Sequence, residues 1–224
     1  MQLRTFPIRE RLIEALTDEL RQNFTRPAKV DYAVILSGGN TPLPVYERLA
    51  SAAVTASPHL HLTLSDERMV PADDPRCNAR YLKPMIASLQ VPADRFLPVH
   101  TTLPLEEATH DFDASIRSWM QRGIIFELAV LGLGTDGHTA SLFSADDVHR
   151  GKSLCAIPVR RPEPPDRVSL TPTIFSNTRR ILILAAGEEK APMIHTLLHN
   201  PLSIPCGLAL QNAPCVELWT DQPG

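Results

Sequence analysis

YAVILSGGNTP, residues 32–42, decides how the rest of the chain is read. Its first five residues form an unbroken apolar run with a β-branched centre, the pattern of a strand covered on both faces. Ser37, Gly38, Gly39 and Asn40 then read as a turn. Thr41 with Pro42 reads as an N-cap followed by proline at the first helical position, and Val45, Tyr46, Leu49 and Ala53 continue at helical spacing. A buried strand that passes through a glycine turn into a helix is the building unit of a parallel sheet.

The same order recurs outward from this stretch. Before it, Leu12, Ile13, Leu16, Leu20 and Phe24 mark one face of an amphipathic helix over 6–24. After it, LHLTL (60–64), FELAVL (126–131) and ILILA (181–185) read as strands, with CAIPV (155–159) as a further candidate and VELW (216–219) as a last edge strand. Helices are predicted over 78–89, broken near Pro84, over 105–121 with Phe112, Ile116, Trp119 and Met120 inward, and from about Glu188 to His199. RRPEPPD (160–166) is a proline-rich loop that could cover something. Strands alternating with helices predict an α/β fold with a mostly parallel sheet, and no repeat or composition break divides residues 1–224 into separate domains.

Composition narrows the function. The chain has 224 residues, 43% hydrophobic and 21% charged, ordinary for a folded globular protein. Its 22 Lys and Arg against 25 Asp and Glu give a net charge of −3, so no general basic field is available for nucleic acid or an anionic membrane. Any anionic ligand must be held locally. Cys77, Cys155, Cys206 and Cys215 lack CxxC spacing and read as free thiols, which favours a reducing compartment, with the cytoplasm as the expected location. No His/Cys/Asp set has metal-ligand spacing, so no metal is expected from the residues.

In an open parallel sheet, ligands bind beyond the carboxyl ends of the strands. Four loops are expected there: SGGN (37–40), SDER (65–68), GLGTDGH (132–138) and AGEEK (186–190). SGGNTP combines glycines, hydroxyls and a helix start, which suits an anion such as phosphate, although a plain strand-to-helix turn has the same look. In SDER, Asp66 could orient a base or hydroxyl, Glu67 could fix Arg68, and Arg68 could grip a phosphate or face an oxyanion; the alternative is a solvated charge cluster. Gly132, Gly134 and Gly137 bring Asp136 and His138 into a tight loop expected to open a helix at Thr139. There Asp136 could set the tautomer and basicity of His138 for proton abstraction, the alternative being a histidine that only caps the helix. Lys190 could reach back to a phosphate, and Arg167 could do the same from the end of the proline-rich loop; either could instead be a surface cation.

Together, SGGNTP, SDERMVPADDPRCNARYL (65–82), LGLGTDGHTASLF (131–143) and RVSLTPTIFSNTRRILILAAGEEKA (167–191) resemble, in order and spacing, the glucosamine-6-phosphate isomerase/6-phosphogluconolactonase family, and within it the 6-phosphogluconolactonases. The resemblance spans about Val34 to Ala191. It implies a Rossmann-like α/β/α sandwich, no metal or organic cofactor, and hydrolysis of a small sugar-phosphate lactone in the pentose phosphate pathway; a monomer or weak homo-oligomer is expected. It further implies phosphate on the loop Ser37, Gly38, Gly39, Asn40, Thr41, a pocket lined by Asp66, Glu67 and Arg68, His138 as base, and help from Lys190. Asn40 and Cys77 depart from the more usual Ser or Thr and Ser, and Pro172 with Thr173 replaces a Leu-Pro pair. Two rivals stay open. A deaminase or isomerase of the same fold carries an acid shortly after the motif histidine, where this chain has Phe143. A non-catalytic sugar-phosphate sensor would need a DNA-binding module, for which the first thirty or so residues leave little room.

Overall fold

Tyr32, Val34 and Leu36 pack on one side of the sheet while Ala33 and Ile35 pack on the other, and all five are fully buried. This is why the run is continuously apolar: both faces of the strand need partners. The computed structural model describes residues 1–52 and 54–222. Along the chain it contains β1 (Gln2–Thr5), α1 (Arg9–Thr25), β2 (Tyr32–Leu36), α2 (Leu43–Ala50), β3 (Leu60–Leu64), β4 (Asp66–Arg68), α3 (Asn78–Ser88), β5 (Phe96–Leu97) and α4 (Leu105–Gln121). The second half adds β6 (Ile125–Gly132), α5 (Ala145–Arg150), β7 (Ala156–Val159), β8 (Arg167–Leu170), α6 (Pro172–Ser176), β9 (Arg180–Ala185), α7 (Ala191–His199), α8 (Pro205–Leu210) and β10 (Val216–Thr220).

Seven strands form a sheet in the order β1-β10-β9-β6-β2-β3-β5, each neighbouring pair parallel. The side chains of α1, α2 and α3 cover one face with Leu16, Leu20, Leu49 and Leu82. On the other face, α4, α7 and α8 contribute Phe112, Ile116, Trp119, Ile194 and Leu197, with Cys206. The result is a three-layer α/β/α architecture, as the alternating pattern predicted. A second, three-stranded antiparallel sheet, β4-β8-β7, sits beside it and packs Val168, Leu170 and Ile157 into the same core.

Several expectations need correction. VELW is not an edge strand, because β1 pairs outside β10; QLRT escaped notice since all four of its residues are exposed and none alternates. The helix after SGGN starts at Leu43 with Pro42 at the cap, so Thr41 is not the N-cap; Ala53 lies outside the described residues. Pro84 does not break α3, because it lies on the exposed side, where the carbonyl it leaves unbonded can meet water. No helix opens at Thr139; the chain turns tightly there, and α5 begins only at Ala145, capped by reciprocal bonds between Ser144 and Asp147. The predicted helix from Glu188 starts as a 3-10 turn over Glu188–Lys190 before α7. All four cysteines are free. Among the described residues no helix is long and apolar enough to cross a membrane.

Candidate active site

The strand order reverses direction between β2 and β6: the chain moves from β2 to β3 on one side and from β6 to β9 on the other. A crevice opens beyond the carboxyl ends of the strands at such a point. Here β2 delivers SGGN, β6 delivers GLGTDGH, β3 runs into β4 with its DER triplet, and β9 delivers AGEEK. A cavity of about 300 Å3 lies among these loops.

Close backbone approach shapes its floor. A Cβ on Gly38 would stand 1.9 Å from Asn78 Oδ1, and one on Gly134 would stand 2.1 Å from His138 Nδ1, so neither position tolerates a side chain without displacing a polar group. The Tyr46 hydroxyl, carried by α2, donates to the Ser37 carbonyl at 2.8 Å and ties the first loop to its helix. Asn78, at the start of α3, donates through Nδ2 to the Asp66 carbonyl at 2.9 Å and links that helix to β4.

Ser37, Gly38, Gly39, Asn40, Thr41, Asp66, Arg68, His138 and Lys190 all line this cavity. The Asp66 carboxylate accepts from the hydroxyls of Ser65 and Ser141, both at 2.7 Å, which fixes its orientation. Arg68 donates through Nη1 to the Arg76 carbonyl at 2.7 Å, while its Nε and the Ser37 hydroxyl are buried without a hydrogen-bond partner among the described residues. Neither Arg68 nor Lys190 forms an ion pair among the described residues. The lining thus carries three cations, Arg9, Arg68 and Lys190, against the two carboxylates Asp66 and Glu189, a local excess of positive charge in a protein of net charge −3.

Asp136 does not line the cavity but stands behind His138, its Oδ1 2.5 Å from Nδ1. Burial pushes the Asp136 carboxyl up, yet the hydrogen bond and charge of His138 outweigh it and hold the group below its ordinary value. An ionised Asp136 accepts a hydrogen bond from Nδ1–H, and in the neutral ring this tautomer leaves the lone pair on Nε2.

Two predicted residues sit elsewhere. Glu67 is fully buried and accepts from the backbone N–H groups of Arg68, Asn78 and Ala79 at 2.7–2.8 Å, so it serves the start of α3 rather than the cavity wall. Burial raises its carboxyl above the ordinary range against the opposing pull of those amides. Arg167 pairs with Arg68 across β4 and β8, but its side chain folds back to donate to the Pro165 carbonyl. Burial, then the Arg68 charge, lowers its pKa.

Sequence reasoning missed Arg9, Asn78 and Glu189, which also line the cavity. Arg9 reaches from α1 to donate to the Asn40 carbonyl at 2.7 Å. A charged residue at the head of an amphipathic helix gives no linear signal of such a contact. Among the described residues no His/Cys/Asp/Glu group is arranged to hold a metal.

Comparison with known proteins bears on this arrangement. The family described as "Glucosamine-6-phosphate isomerases/6-phosphogluconolactonase" matches residues 7–218. A 6-phosphogluconolactonase of Thermotoga maritima is 36% identical over 169 residues, 75% of this chain and 74% of that protein. One of Homo sapiens is 31% identical over 192 residues, 82% of this chain and 74% of that protein. The crystal structure of a 6-phosphogluconolactonase from Thermotoga maritima superposes with a TM-score of 0.79 at 28% identity, covering 97% of both chains.

Proposed function

Because the chain belongs to the glucosamine-6-phosphate isomerase/6-phosphogluconolactonase family, we propose that it hydrolyses 6-phospho-D-glucono-1,5-lactone to 6-phosphogluconate, with His138 assisting attack of water on the lactone carbonyl. The observation that carries this reading is the meeting, in one cavity, of an imidazole tied to Asp136 with the cations Arg68 and Lys190 and a glycine loop. A δ-lactone is an activated ester, so water needs only deprotonation, placement and stabilisation of the oxyanion.

Nε2 of His138 removes a proton as water attacks C1, and the carbonyl π electrons move to oxygen. Arg68 or backbone N–H groups face the tetrahedral oxyanion. Collapse expels the ring oxygen, which takes the proton back from the imidazolium, leaving a carboxylic acid that ionises at neutral pH. Asp136 orients the ring throughout. At the other end of the sugar, Ser37, the Gly38–Thr41 backbone and Lys190 hold the phosphate, and this remote binding energy orients the carbonyl. The deaminase alternative lacks its acid, because Phe143 occupies that position.

The test is to follow acid release from phosphorylated and plain gluconolactone by the parent protein, His138→Asn and Lys190→Ala, subtracting spontaneous opening. His138→Asn is expected to lower kcat by about 10²- to 10⁴-fold. Lys190→Ala should harm the phosphorylated substrate far more than the plain one. Equal kcat/KM for both lactones in the parent would exclude a working phosphate site and leave a general lactonase.

A further inference from the structure

The chain immediately after His138 does something that the lactonase reading does not use. Thr139 donates through Oγ1 to the Gly132 carbonyl at 2.9 Å, Ala140 adopts a left-handed φ of 49°, and the Leu142 N–H closes the turn on the Thr139 carbonyl at 3.0 Å. A non-glycine residue with positive φ is uncommon, and here it reverses the chain within four residues. The reversal lays the Phe143 ring beside the imidazole of His138, with centroids 4.5 Å apart and planes inclined by 43°. The Phe143 N–H is fixed by Asp147 Oδ2 at 3.1 Å, so the ring's backbone is anchored to the cap of α5.

The guanidinium carbon of Arg161 lies 3.7 Å from the centroid of the same ring. Arg161 belongs to the proline-rich segment, and its own backbone is held: its N–H donates to Asp166 Oδ1 at 2.9 Å, while the Asp166 carbonyl accepts from Met69 N at 2.9 Å. Arg161 forms no ion pair among the described residues. Its cation is satisfied by an aromatic face, a geometry that is attractive and directional.

We propose that Arg161 and Phe143 are positioning residues for His138: the guanidinium holds the phenyl ring, and the ring holds the imidazole in place alongside Asp136. The proposal rests on the reading of His138 as the base. It couples the 160–166 loop to the reacting groups without requiring that the loop touch the lactone. Small displacements of a catalytic group lower turnover steeply, so loosening the stack should act on kcat.

The experiment is a double-mutant cycle. Phe143→Leu, Phe143→Tyr and Arg161→Ala are each made in the parent and in His138→Asn, and kcat and KM for the phosphorylated lactone are measured. Phe143→Leu, which keeps apolar volume but loses the aromatic face, is expected to lower kcat by about 10- to 100-fold with KM changed less than about threefold. Arg161→Ala should lower kcat by a smaller factor in the same way, and Phe143→Tyr should restore turnover to near the parent. In His138→Asn the same changes should have almost no further effect, since residues acting through one group are not additive. Equal fractional losses in both backgrounds, a loss confined to KM, or parent-like kcat in Phe143→Leu or Arg161→Ala would overturn the proposal. Where His138→Asn is impaired but the losses are additive, the base reading stands and only the stack falls; where His138→Asn is itself parent-like, the base reading falls first. Arg161→Ala alters a half-buried loop side chain, so it keeps the test open should the Phe143 variants fold poorly.

Discussion

Arg68 shows how much of the site turns on one side chain. One end of its guanidinium is spent on the Arg76 carbonyl, and its buried Nε has no partner among the described residues, so the planar fork is held in place with a donor to spare. Lysine would keep the charge but could neither satisfy the Arg76 carbonyl in the same pose nor present two parallel donors. Arg68→Lys is therefore expected to lower kcat/KM by about 10- to 100-fold, with the melting temperature little changed; steady-state kinetics beside a thermal melt would check both. Parent-like kinetics would remove Arg68 from the working site.

Elements carry two further expectations, one at each end of the sheet. At the carboxyl end, Glu67 joins β4 to the start of α3 through three backbone N–H groups. Glu67→Gln replaces one accepting oxygen with a donor and leaves at least one buried N–H unsatisfied, a loss of about 1–3 kcal/mol readable by urea unfolding. At the amino end of β2 and β3, Asp31 accepts from His59 Nδ1 at 2.9 Å, His61 Nε2 at 3.2 Å and Arg95 Nη1 at 3.4 Å. The His59 hydrogen bond, with His61 and Arg95, overcomes burial and holds the Asp31 carboxyl down at about 2. Burial lowers the His61 imidazole despite the pull of Asp31.

Both shifts have the same consequence for stability. The unfolded chain protonates His61 near 6.5, before the folded chain does, so stability declines as pH falls below about 6.5. The contribution of Asp31 is present above its ordinary value of 3.8 and is lost as pH falls through about 2. His61→Gln should flatten the fall in unfolding free energy between pH 7 and pH 5. An unchanged slope would assign that loss to another group.

For the whole molecule, the sheet joins β1 from the first residues to β10 from the last, and both lie beside β9 and β6 from the middle of the chain. Core residues from early and late segments share one cluster on each face. Unfolding is accordingly expected as one transition, with calorimetric and van't Hoff enthalpies equal; a van't Hoff value well below the calorimetric one would show separable units.

What could be read from the sequence was whatever depends on a segment's own burial. YAVIL is apolar at every position because both faces are covered, and 105–121 carries a helical stripe because one side meets the sheet; the helix spans those residues. The loops at strand ends could be named because glycine is needed where the backbone runs close against polar side chains, as Gly134 against His138 demonstrates. Tertiary structure alone decided the strand order, the place of QLRT outside β10, the pairing of DER with Arg167–Ser169, and the burial of Glu67 under α3. It alone brought Arg9 to the Asn40 carbonyl and Arg161 over Phe143. The physical reason is that periodicity along a chain reports which sides of a segment leave water, whereas partner and register are set by contacts between residues far apart in sequence, which leave no mark on either segment taken singly.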